Sequence, residues 1–304
     1  MQKKVSIITV HYNQQEATVR LLDSMRHLEY PHIEMIVVDN GSADKLGEIM
    51  RRHYPEFVYI RSSHNLGFAG GNNLGIQRAT GDCLFFVNND AYLTPECVGL
   101  LVDFLEKNPT AGAVSPLICY DERDSIGRDI IQYAGMTEVN PITGRNRTAG
   151  ARASDRGQFS EPFPTAYTHG AAMMITRETL AKAGPMPEDY FLYYEELDWC
   201  ERIRKAGLEL WVAPEARVYH AESLTMEKLG AQKIFYLTRN RIWFMRKWSS
   251  GWHLFAFYVY MALVAAPLHS IRRLSDQDLS LLSAFWKGLI QGFNRSVDSD
   301  WSRS

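Results

Sequence analysis

Apolar and polar positions alternate in blocks along the first half of the chain. Short runs rich in β-branched residues predict strands over residues 5–10, 35–38, 57–60 and 83–87. Amphipathic segments beside these runs predict helices over residues 14–28, 44–53, 70–79 and 95–107. Thr94 followed by Pro95 is typical of a capped start for the last of these helices. Strands that alternate with helices indicate an α/β fold on a mainly parallel sheet flanked by helices.

The pattern changes further along the chain. Between residues 118 and 168 the apolar period is lost, which predicts long loops over the sheet, where substrate contacts tend to lie. Order returns with a predicted strand over 171–175, a helix over 195–206 closed by Gly207, and a strand over 209–213. Beyond His220 three helices are predicted, over 228–247, 252–266 and 279–293. We therefore expect an α/β domain at 1–226 and a helical extension at 227–304.

Three of the predicted strands end in polar residues. These endings read His11-Tyr12-Asn13, Asp39-Asn40-Gly41-Ser42 and Asn88-Asn89-Asp90. The carboxyl ends of parallel strands share one edge of a sheet, where α/β proteins bind their ligands. A carboxylate at the end of a buried strand is costly unless it is paired or holds a cation, so the position of Asp90 favours contact with a metal or a phosphate. Asp39 fits an ordinary turn and helix cap equally well.

The segment 64–73 reads HNLGFAGGNN, follows a predicted strand and opens a helix. Its glycines would let backbone N–H groups approach a phosphate at the start of that helix. The segment lacks the GxGxxG order of dinucleotide-binding folds.

The predicted helix at 195–206 carries acids in its first turns and bases in its last turn, as the helix dipole favours. The dipole does not explain why Glu195, Glu196 and Asp198 stand so close together. Such crowding is easier to understand where one of the three acts as a base with a raised pKa. His220 ends another apolar run, and a histidine in that position is more often a hydrogen-bonded structural residue than a ligand.

Composition limits the classes of partner. Lys and Arg number 33 and Asp and Glu number 35, so the near-neutral chain gives no reason to expect nucleic-acid binding. The four cysteines form no CxxC pair, which favours a reduced, cytosolic compartment. The apolar run near the N-terminus is too short for a signal peptide, so we expect the catalytic body to remain in the cytoplasm.

The C-terminal extension is basic and apolar. Residues 228–273 contain eight Lys or Arg and no acid, and the 24 residues between Lys247 and Arg272 carry no formal charge. An interfacial helix is favoured over a buried or dimer-forming helix, and a membrane-spanning helix is the third alternative. We therefore expect residues 248–273 to bind the inner face of the cytoplasmic membrane peripherally, with a homodimer as an open alternative.

Seven stretches, taken in order, carry a family resemblance. They read VSIITVHYN, IVVDNGSAD, NLGFAGGNNLGI, GDCLFFVNNDA, HGAAMMITRE, YYEELDWCERIRKAG and ARVYHAESLT. Together they resemble the family 2 inverting glycosyltransferases of GT-A fold, and most of all the bacterial rhamnosyltransferase-type members. The resemblance covers roughly residues 3 to 247.

The resemblance implies transfer of a sugar from a nucleoside-diphosphate donor to a hydroxyl of a glycan or lipid-linked acceptor, with inversion, in bacterial surface polysaccharide synthesis. dTDP-rhamnose is the leading donor, and a divalent metal, Mg or Mn, would be bound. The implied donor-binding residues are Tyr12, Asn13, Asp39, Asn65, Gly70, Gly71, Asn72, Asn89 and Asp90. The implied metal residues are Asp90 and His220.

Glu196 falls on the family's catalytic base, with Glu195 beside it and Asp198 as the second candidate. The chain departs from the family in two places. The metal motif reads Asn88-Asn89-Asp90 and so keeps one of its two usual carboxylates, and the usual Glu-Asp acid pair is Glu195-Glu196. Magnesium tolerates the first change because it is commonly coordinated by one carboxylate together with substrate phosphates and waters. The second change leaves the choice between Glu196 and Asp198 open.

The residues after the first strand do not fit two other enzyme classes. A nucleotidyltransferase or a dehydrogenase would need a glycine-rich loop after the first strand, where the chain has His11-Tyr12-Asn13. The non-enzymatic alternative is a carbohydrate-binding or nucleotide-sugar-binding protein with a non-catalytic transferase fold. The acids at 195–198 and Asp90 speak against it.

Overall fold

The computed structural model describes residues 2–221 and 230–294. The chain forms two compact units. The larger comprises Met1–Thr137, Thr148–Phe191 and Glu195–Glu222, and the smaller comprises Glu138–Arg147, Leu192–Tyr194 and Ser223–Ser304. The predicted domain boundary at 226/227 and the predicted helix start at Lys228 lie outside the described residues, so both stay predictions.

The larger unit is built on one mixed sheet. Its strands are β1 (Val5–His11), β2 (Ile33–Asp39), β3 (Val58–Arg61), β4 (Cys83–Val87), β5 (Ala91–Leu93), β6 (Ala111–Arg123), β7 (Asp129–Tyr133), β8 (Phe163–Pro164), β9 (Ala172–Thr176) and β10 (Glu209–His220). The strand order across the described sheet is β3-β2-β1-β4-β9-β6-β10-β5, with β7 beside β6 and β8 beside β10. This mostly parallel α/β arrangement confirms the predicted fold class.

Strand direction decides which residues meet. β1 runs parallel to both β2 and β4, and β2 runs parallel to β3. β9 is antiparallel to both β4 and β6, and β10 is parallel to β6, so β10 points the same way as β4. The carboxyl ends of β1, β2, β4 and β10 therefore lie at one edge of the sheet.

Helices cover both faces of this sheet. Those of the larger unit are α1 (Gln15–Met25), α2 (Leu46–His53), α3 (Gly67–Arg78), α4 (Cys97–Lys107), α5 (Arg177–Ala183) and α6 (Glu195–Lys205). Alternate strand residues face opposite sides. Ile7 and Phe85 belong to a core shared with α1, α2 and α4, while Phe86 packs against Trp199 of α6, with ring centroids 5.3 Å apart.

Several local predictions about this unit are wrong. The strand predicted over 209–213 continues to His220, and the helix predicted over 14–28 ends at Met25. The helix predicted to begin at Pro95 with a Thr94 cap begins at Cys97, with Glu96 at the N-cap position and no side-chain cap. The stretch 118–168, predicted as loops, contains the end of β6, all of β7 and the short β8. The first nine residues of β6 are all buried, so this part of the strand shows no period of two, and only its last residues, beyond Cys119, become exposed.

Residues 230–294 of the smaller unit are mainly helical, whereas its segments Glu138–Arg147 and Leu192–Tyr194 are turns and loops. Its helices are α7 (Gly230–Trp248), α8 (Gly251–Tyr260), a π-helical turn (Met261–Ala265), α9 (Ala266–Ser275) and α10 (Leu279–Asn294). The helix predicted to end at residue 266 instead continues to Ser275. Pro267 stands in the first turn of α9, directly after the π turn, where its missing N–H is tolerated.

Glycines let α3 lie close to the sheet. A Cβ added at Gly75 would stand 2.5 Å from Cγ2 of Ile8, and one at Gly71 would stand 2.7 Å from Cγ1 of Val10. Both distances are far below van der Waals contact. The backbone of α3 therefore approaches β1 more closely than any other residue type would allow.

We expect Gly75→Ala to lower the free energy of unfolding by about 1–2 kcal/mol, because overpacking against Ile8 outweighs the better helix propensity of alanine. Gly99→Ala in α4 is the matched control, since its nearest neighbour would be Tyr30 at 3.7 Å. The control should be neutral or stabilising by up to about 1 kcal/mol. Urea unfolding measures both, and equal effects of the two substitutions would contradict the packing account.

Candidate active site

Asp39 ends β2 and is fully buried. Its Oδ1 accepts from the N–H of Ser42 at 2.8 Å, and its Oδ2 accepts from the hydroxyl of Tyr59 at 2.5 Å, with Arg61 3.5 Å away. Burial alone would raise the pKa of Asp39, but the hydrogen bonds from Tyr59 and Ser42 outweigh burial and lower it. Burial, and then the hydrogen bond to Asp39, raise the pKa of Tyr59 to about 12. Asp39 organises the loop after β2, and its direct contact with a donor stays a prediction.

The loops after β1 and β2 are joined by Asn13. Its N–H donates to Oγ of Ser42 at 3.0 Å, and its side-chain oxygen accepts from the N–H of Ala43 at 2.8 Å. Asn13 has φ of +54°, a left-handed conformation that asparagine tolerates better than most residues. Tyr12 beside it is 44% exposed, so its ring is accessible at the rim of this edge.

Asn40 joins the loop after β2 to the loop after β3. Its side-chain N–H donates to Oδ1 of Asn65 and to the carbonyl of Gly67, both at 3.0 Å, and its oxygen accepts from the N–H of Leu66 at 2.9 Å. Gly67 has φ of +77°, and an added Cβ would stand 2.3 Å from the carbonyl oxygen of Phe191. The predicted donor residue Asn65 thus lies in a loop held rigidly at this edge.

The remaining predicted residues of α3 have packing roles. Gly71 faces β1, Gly70 lies over Leu66, and the side chain of Asn72 donates back to the carbonyl of Phe68 at 3.0 Å. Asn72 is only 2% exposed. The structure therefore gives these residues a role in fixing α3 against the sheet, and their predicted contact with a nucleotide stays a prediction without further support.

A chain of hydrogen bonds links the ends of β1 and β4. Nδ1 of His11 lies 2.8 Å from Oγ1 of Thr18, which accepts from the side-chain amide of Asn89 at 3.0 Å. Nε2 of His11 lies 2.9 Å from the carboxylate of Asp44. The predicted residue Asn89 is thereby tied to α1. Thr18 is a supporting residue that the sequence patterns did not single out, and His11 appeared there only as part of a polar strand ending.

Asp90 and His220 meet at the same edge. Oδ1 of Asp90 lies 2.9 Å from Nε2 of His220, and both side chains are only 8% exposed. The side-chain amide of Asn88 lies 3.2 Å from the same nitrogen. Backbone bonds hold the turn in place, because the carbonyl of Asp90 accepts from Ala221 at 3.0 Å and Asn88 donates to Ala171 at 2.9 Å.

The other ring nitrogen of His220 decides its chemistry. Nδ1 lies 2.8 Å from Oε1 of Gln132, which can only accept, so Nδ1 carries a proton. In the neutral ring Nε2 then carries a lone pair that points at the carboxylate of Asp90. Because both groups are acceptors, a proton or a cation has to lie between them. Gln132 belongs to β7, within the stretch that the sequence pattern predicts to be loops.

This pair could hold a divalent cation whose remaining ligands come from outside the protein. The carboxylate of Asp90 suits manganese or magnesium, whereas the imidazole favours a transition-metal ion such as manganese over magnesium. The N–H of the imidazole is held by an outer partner, as in most metal-binding histidines. Within residues 2–221 and 230–294 no group of three or more His, Cys, Asp or Glu could hold a metal. A bound ion would therefore need further oxygens, such as those of a diphosphate.

His169 lies beside this pair, with its ring centroid 6.4 Å from that of His220. Its Nδ1 accepts from the N–H of Ala171 at 3.1 Å, so Nε2 carries the proton of the neutral ring. Desolvation by the surrounding protein lowers the pKa of His169 to about 3, with a smaller contribution from His220. His169 is thus a neutral donor at neutral pH, and the sequence contained it only as part of the motif HGAAMMITRE.

Glu196 stands over the next residue of that loop. A Cβ at Gly170 would lie 3.8 Å from Cβ and Cγ of Glu196 and 3.7 Å from Cζ of Phe68. Glu196 is partly exposed at the start of α6. Residues 90, 220, 169, 170 and 196 therefore form a continuous series along one edge of the sheet.

The two other acids have different surroundings. Asp198 is fully buried, and its oxygens accept from the hydroxyl of Tyr190 at 2.7 Å and from Nε of Arg202 at 3.0 Å. Glu195 is only 3% exposed. Phe191, Tyr193 and Tyr194 before them have φ of +65°, +68° and +76°, a conformation that bulky residues rarely adopt and that is often found at functional sites.

Comparisons with known proteins agree with this architecture. Residues 6–184, more than half of the chain, match the model of the family described as glycosyl transferase family 2. The chain therefore belongs to glycosyl transferase family 2, whose members transfer a sugar from a nucleotide-sugar donor.

Curated relatives are distant. The N-acetylglucosaminyl-diphospho-decaprenol L-rhamnosyltransferase of Mycobacterium tuberculosis is 24% identical over 81% of this chain and 85% of that protein. The dTDP-rhamnosyl transferase RfbF of Shigella flexneri is 23% identical over 81% of each chain.

Solved structures show the same GT-A-like fold. The mannosyltransferase PcManGT of Pyrobaculum calidifontis, in complex with GDP-Man and Mn²⁺, matches with a TM-score of 0.60 and 17% identity over 100% of this chain and 89% of that chain. TarS 1-349 of S. aureus, in complex with UDP-GlcNAc, matches with a TM-score of 0.60 and 16% identity over 95% of this chain and 81% of that chain.

The buried Asp39 leads to a pH-dependent prediction. Folding lowers the pKa of Asp39, so the stability it contributes is fully present above about pH 4, the ordinary pKa of aspartate, and is lost as the pH falls through the lower folded pKa. Tyr59→Phe should cost about 1.5–3 kcal/mol at pH 7, because it removes a hydrogen bond to a buried charge. This cost should shrink as the carboxylate becomes protonated.

Tyr54→Phe is the matched control, since it removes a hydrogen bond of 2.7 Å to Asp23 at the surface. Its cost should be about 1 kcal/mol or less. Chemical denaturation at several pH values measures both variants. A cost for Tyr59→Phe that stays constant down to the acid limit of folding would contradict the charged hydrogen bond.

Proposed function

We propose that this protein is an inverting glycosyltransferase that moves rhamnose from dTDP-rhamnose to a hydroxyl of a glycan or lipid-linked acceptor, in the synthesis of bacterial surface polysaccharide. The observation that carries the proposal is the pairing of Asp90 with His220 at 2.9 Å, on the edge of the sheet where Glu196 also stands. In such a site the diphosphate would bind beside Asp90 and His220, and the acceptor hydroxyl would lie beside Glu196. Two of the relatives named above are rhamnosyltransferases, which supports the choice of sugar.

Donor recognition is assigned to the loops after β1, β2 and β3. The exposed ring of Tyr12 offers a stacking surface for the nucleoside base, and Asn13, Asn40 and Asn65 hold the surrounding loops in a single arrangement. A preorganised site loses less conformational entropy when the nucleotide binds. The buried carboxylate of Asp39 stabilises this arrangement through its hydrogen bonds with Ser42 and Tyr59.

Asp90 and His220 would hold a divalent ion, together with oxygens of the donor diphosphate. When bound, such an ion supplies positive charge next to the leaving diphosphate. Gln132 keeps the lone pair of His220 on Nε2 and directs it toward Asp90, so the ligand geometry is set before any ion binds. His169 offers a neutral N–H beside the same pair, which suits a hydrogen bond to an oxygen of the sugar or of the diphosphate.

Glu196 is assigned as the general base that removes the proton of the attacking hydroxyl. Of the acids at 195–198, Glu195 and Asp198 are buried, and Asp198 is already bound by Tyr190 and Arg202. Glu196 is the partly exposed one, which a substrate hydroxyl can reach. Attack on the face opposite the diphosphate gives inversion without a covalent sugar-enzyme intermediate.

We expect Glu196→Gln to lower the turnover number by about 10²–10⁴-fold, because a positioned base contributes an effect of this size. Donor binding should persist, since the amide keeps the volume of the side chain. Release of nucleoside diphosphate and thermal stabilisation by the donor measure the two effects.

Glu201→Gln is the matched control on the same helix, because Glu201 accepts from Tyr167 at 2.5 Å and is assigned no role in the reaction. It should keep turnover within a few-fold of the unsubstituted protein. Near-normal turnover of Glu196→Gln would remove Glu196 from the role. If turnover were lost instead in a folded Asp198→Asn variant, the base would be Asp198.

Binding of donor and metal is expected to be coupled. A panel of nucleotide sugars should raise the melting temperature only with Mg²⁺ or Mn²⁺, with dTDP-rhamnose most effective, because protein ligands alone complete too little of the ion's shell. A ligand at a hundredfold excess over its Kd stabilises the folded state by about 2.7 kcal/mol. Chelator should abolish the shift.

Asp90→Asn should lose most of this shift, whereas the control Asp121→Asn, which pairs with Arg20 at 2.7 Å, should keep it. Equal stabilisation and turnover in excess chelator would contradict the metal. Binding of nucleotide sugars by a protein that releases no nucleoside diphosphate with any acceptor would favour the non-catalytic alternative.

A further inference from the structure

The smaller unit presents an unusual apolar surface. Within the described residues, one helical run, Gly251–Ser275, is long and apolar enough to cross a membrane by length and composition. Six of its large apolar side chains are 38% to 73% exposed, and we call them the apolar stripe: Trp252, Phe255, Val259, Leu263, Leu268 and Ile271. A soluble protein rarely leaves a contiguous surface of this kind in contact with water.

The π turn at Met261–Ala265 keeps the stripe on one side of the helix. Residues three or four apart share a face in an α-helix, but i→i+5 bonding makes residues five apart share one across the π turn. Leu263 and Leu268 are five apart, and both are exposed. Met261 and Ala266 are also five apart, and both are buried. Without the extra residue the two halves of the stripe would point in different directions.

The opposite side of this helix packs against its own unit. Phe257 is fully buried, and its ring centroid lies 5.8 Å from the guanidinium of Arg241 in α7. A Cβ at Gly144 would stand 3.0 Å from Phe257 and 2.9 Å from Met245. A helix that crossed the bilayer surrounded by lipid would lose this packing and would uncover Arg241, which is 6% exposed. One-sided packing suits a helix that lies in the plane of an interface.

A second helix extends the surface. In α10 the side chains of Leu279, Trp286 and Ile290 are 66%, 41% and 54% exposed, and their spacing of seven and four residues places them on one face. Nε1 of Trp286 donates to Oγ of Ser270 at 3.1 Å, so this ring lies directly beside α9. Tryptophan is enriched where protein meets the headgroups of a membrane.

Positive charge borders the stripe. Arg272 and Arg273 follow it, with Asp276 at 3.9 Å and 3.6 Å as their acidic neighbour. Burial lowers the pKa of His269, and the positive charges of Arg273, Arg145 and Arg272 lower it further, so Arg145 is near enough to act on the same histidine. Asp278 is a second acid at this end, because its N–H donates to the carbonyl of Arg273 at 2.9 Å. Three arginines beside two acids leave a small excess of positive charge for anionic headgroups.

We propose that the apolar stripe and its arginine border bind flat to the surface of an anionic lipid membrane. A second copy of the chain is the less suitable occupant, because residues 248–271 carry no acid and so offer no partner to the arginine border when a two-fold axis sets the two stripes antiparallel. The proposal goes beyond the sugar transfer and does not rest on it, since every contact that carries it belongs to the smaller unit.

Flotation of the full chain with vesicles tests the proposal. Binding is expected to vesicles of phosphatidylcholine with phosphatidylglycerol and to be much weaker with phosphatidylcholine alone. Leu263→Glu and Ile271→Glu should each lower binding at least about tenfold, because a charge replaces buried apolar area. Gln291→Glu, which adds the same charge at an exposed position of α10, should leave binding unchanged.

Arg272→Gln and Arg273→Gln should each weaken binding to the anionic vesicles by about fivefold, since a basic residue near the surface contributes on this scale. Circular dichroism and the melting temperature show that each variant is folded. Unchanged flotation of folded Leu263→Glu and Ile271→Glu would overturn the proposal. A dimer in solution that Leu263→Glu dissociates would also overturn it, because the stripe would then bind a second copy. Release of the bound protein by detergent but not by alkaline carbonate would overturn it as well, because that result indicates a membrane-spanning helix.

Discussion

The site depends on the meeting of Asp90 with His220, two groups that both accept protons or cations and that would not lie 2.9 Å apart without one between them. Their separation along the chain is 130 residues, so neither can be placed by local structure. Strand direction places them, because β4 and β10 point the same way and the turn after β4 is bonded to Ala171 and Ala221. Loss of either strand's direction would remove the pair.

The other polar residues at this edge of the sheet fall into two groups, those that hold loops in place and those that keep exposed surface. Buried polar groups such as His11, Asp39 and Asn40 are bonded to neighbouring elements and loops, and these bonds hold the loops in one arrangement. Fewer groups at this edge keep exposed surface, among them Tyr12, His169 and Glu196. A site of this kind binds with little reorganisation, which is what electrostatic stabilisation of a leaving diphosphate requires.

Much of the fold was predictable because strand and helix periods differ. The strand β4 has the predicted bounds, and α6 and α10 differ from theirs by one residue. Prediction was wrong for β6, where burial of both faces removes the alternation of apolar and polar residues. It was also wrong for α9, where a π turn lets the helix continue past Pro267. The glycines of α3 show a third limit, because the same residue type serves a phosphate loop and a close helix–sheet contact, and only the distance to Ile8 and Val10 distinguishes them.

The sequence by itself determined the α/β class, the polar strand endings at Asp39 and Asp90, and the crowded acids of α6, because each depends on residues close together along the chain. Only the tertiary structure decided that Asp198 is bound by Tyr190 and Arg202 while Glu196 is partly exposed, and that Gln132 and His169 belong beside His220. Hydrogen bonds and burial between distant segments set these differences. Local pattern carries no information about which distant side chain a carboxylate will meet.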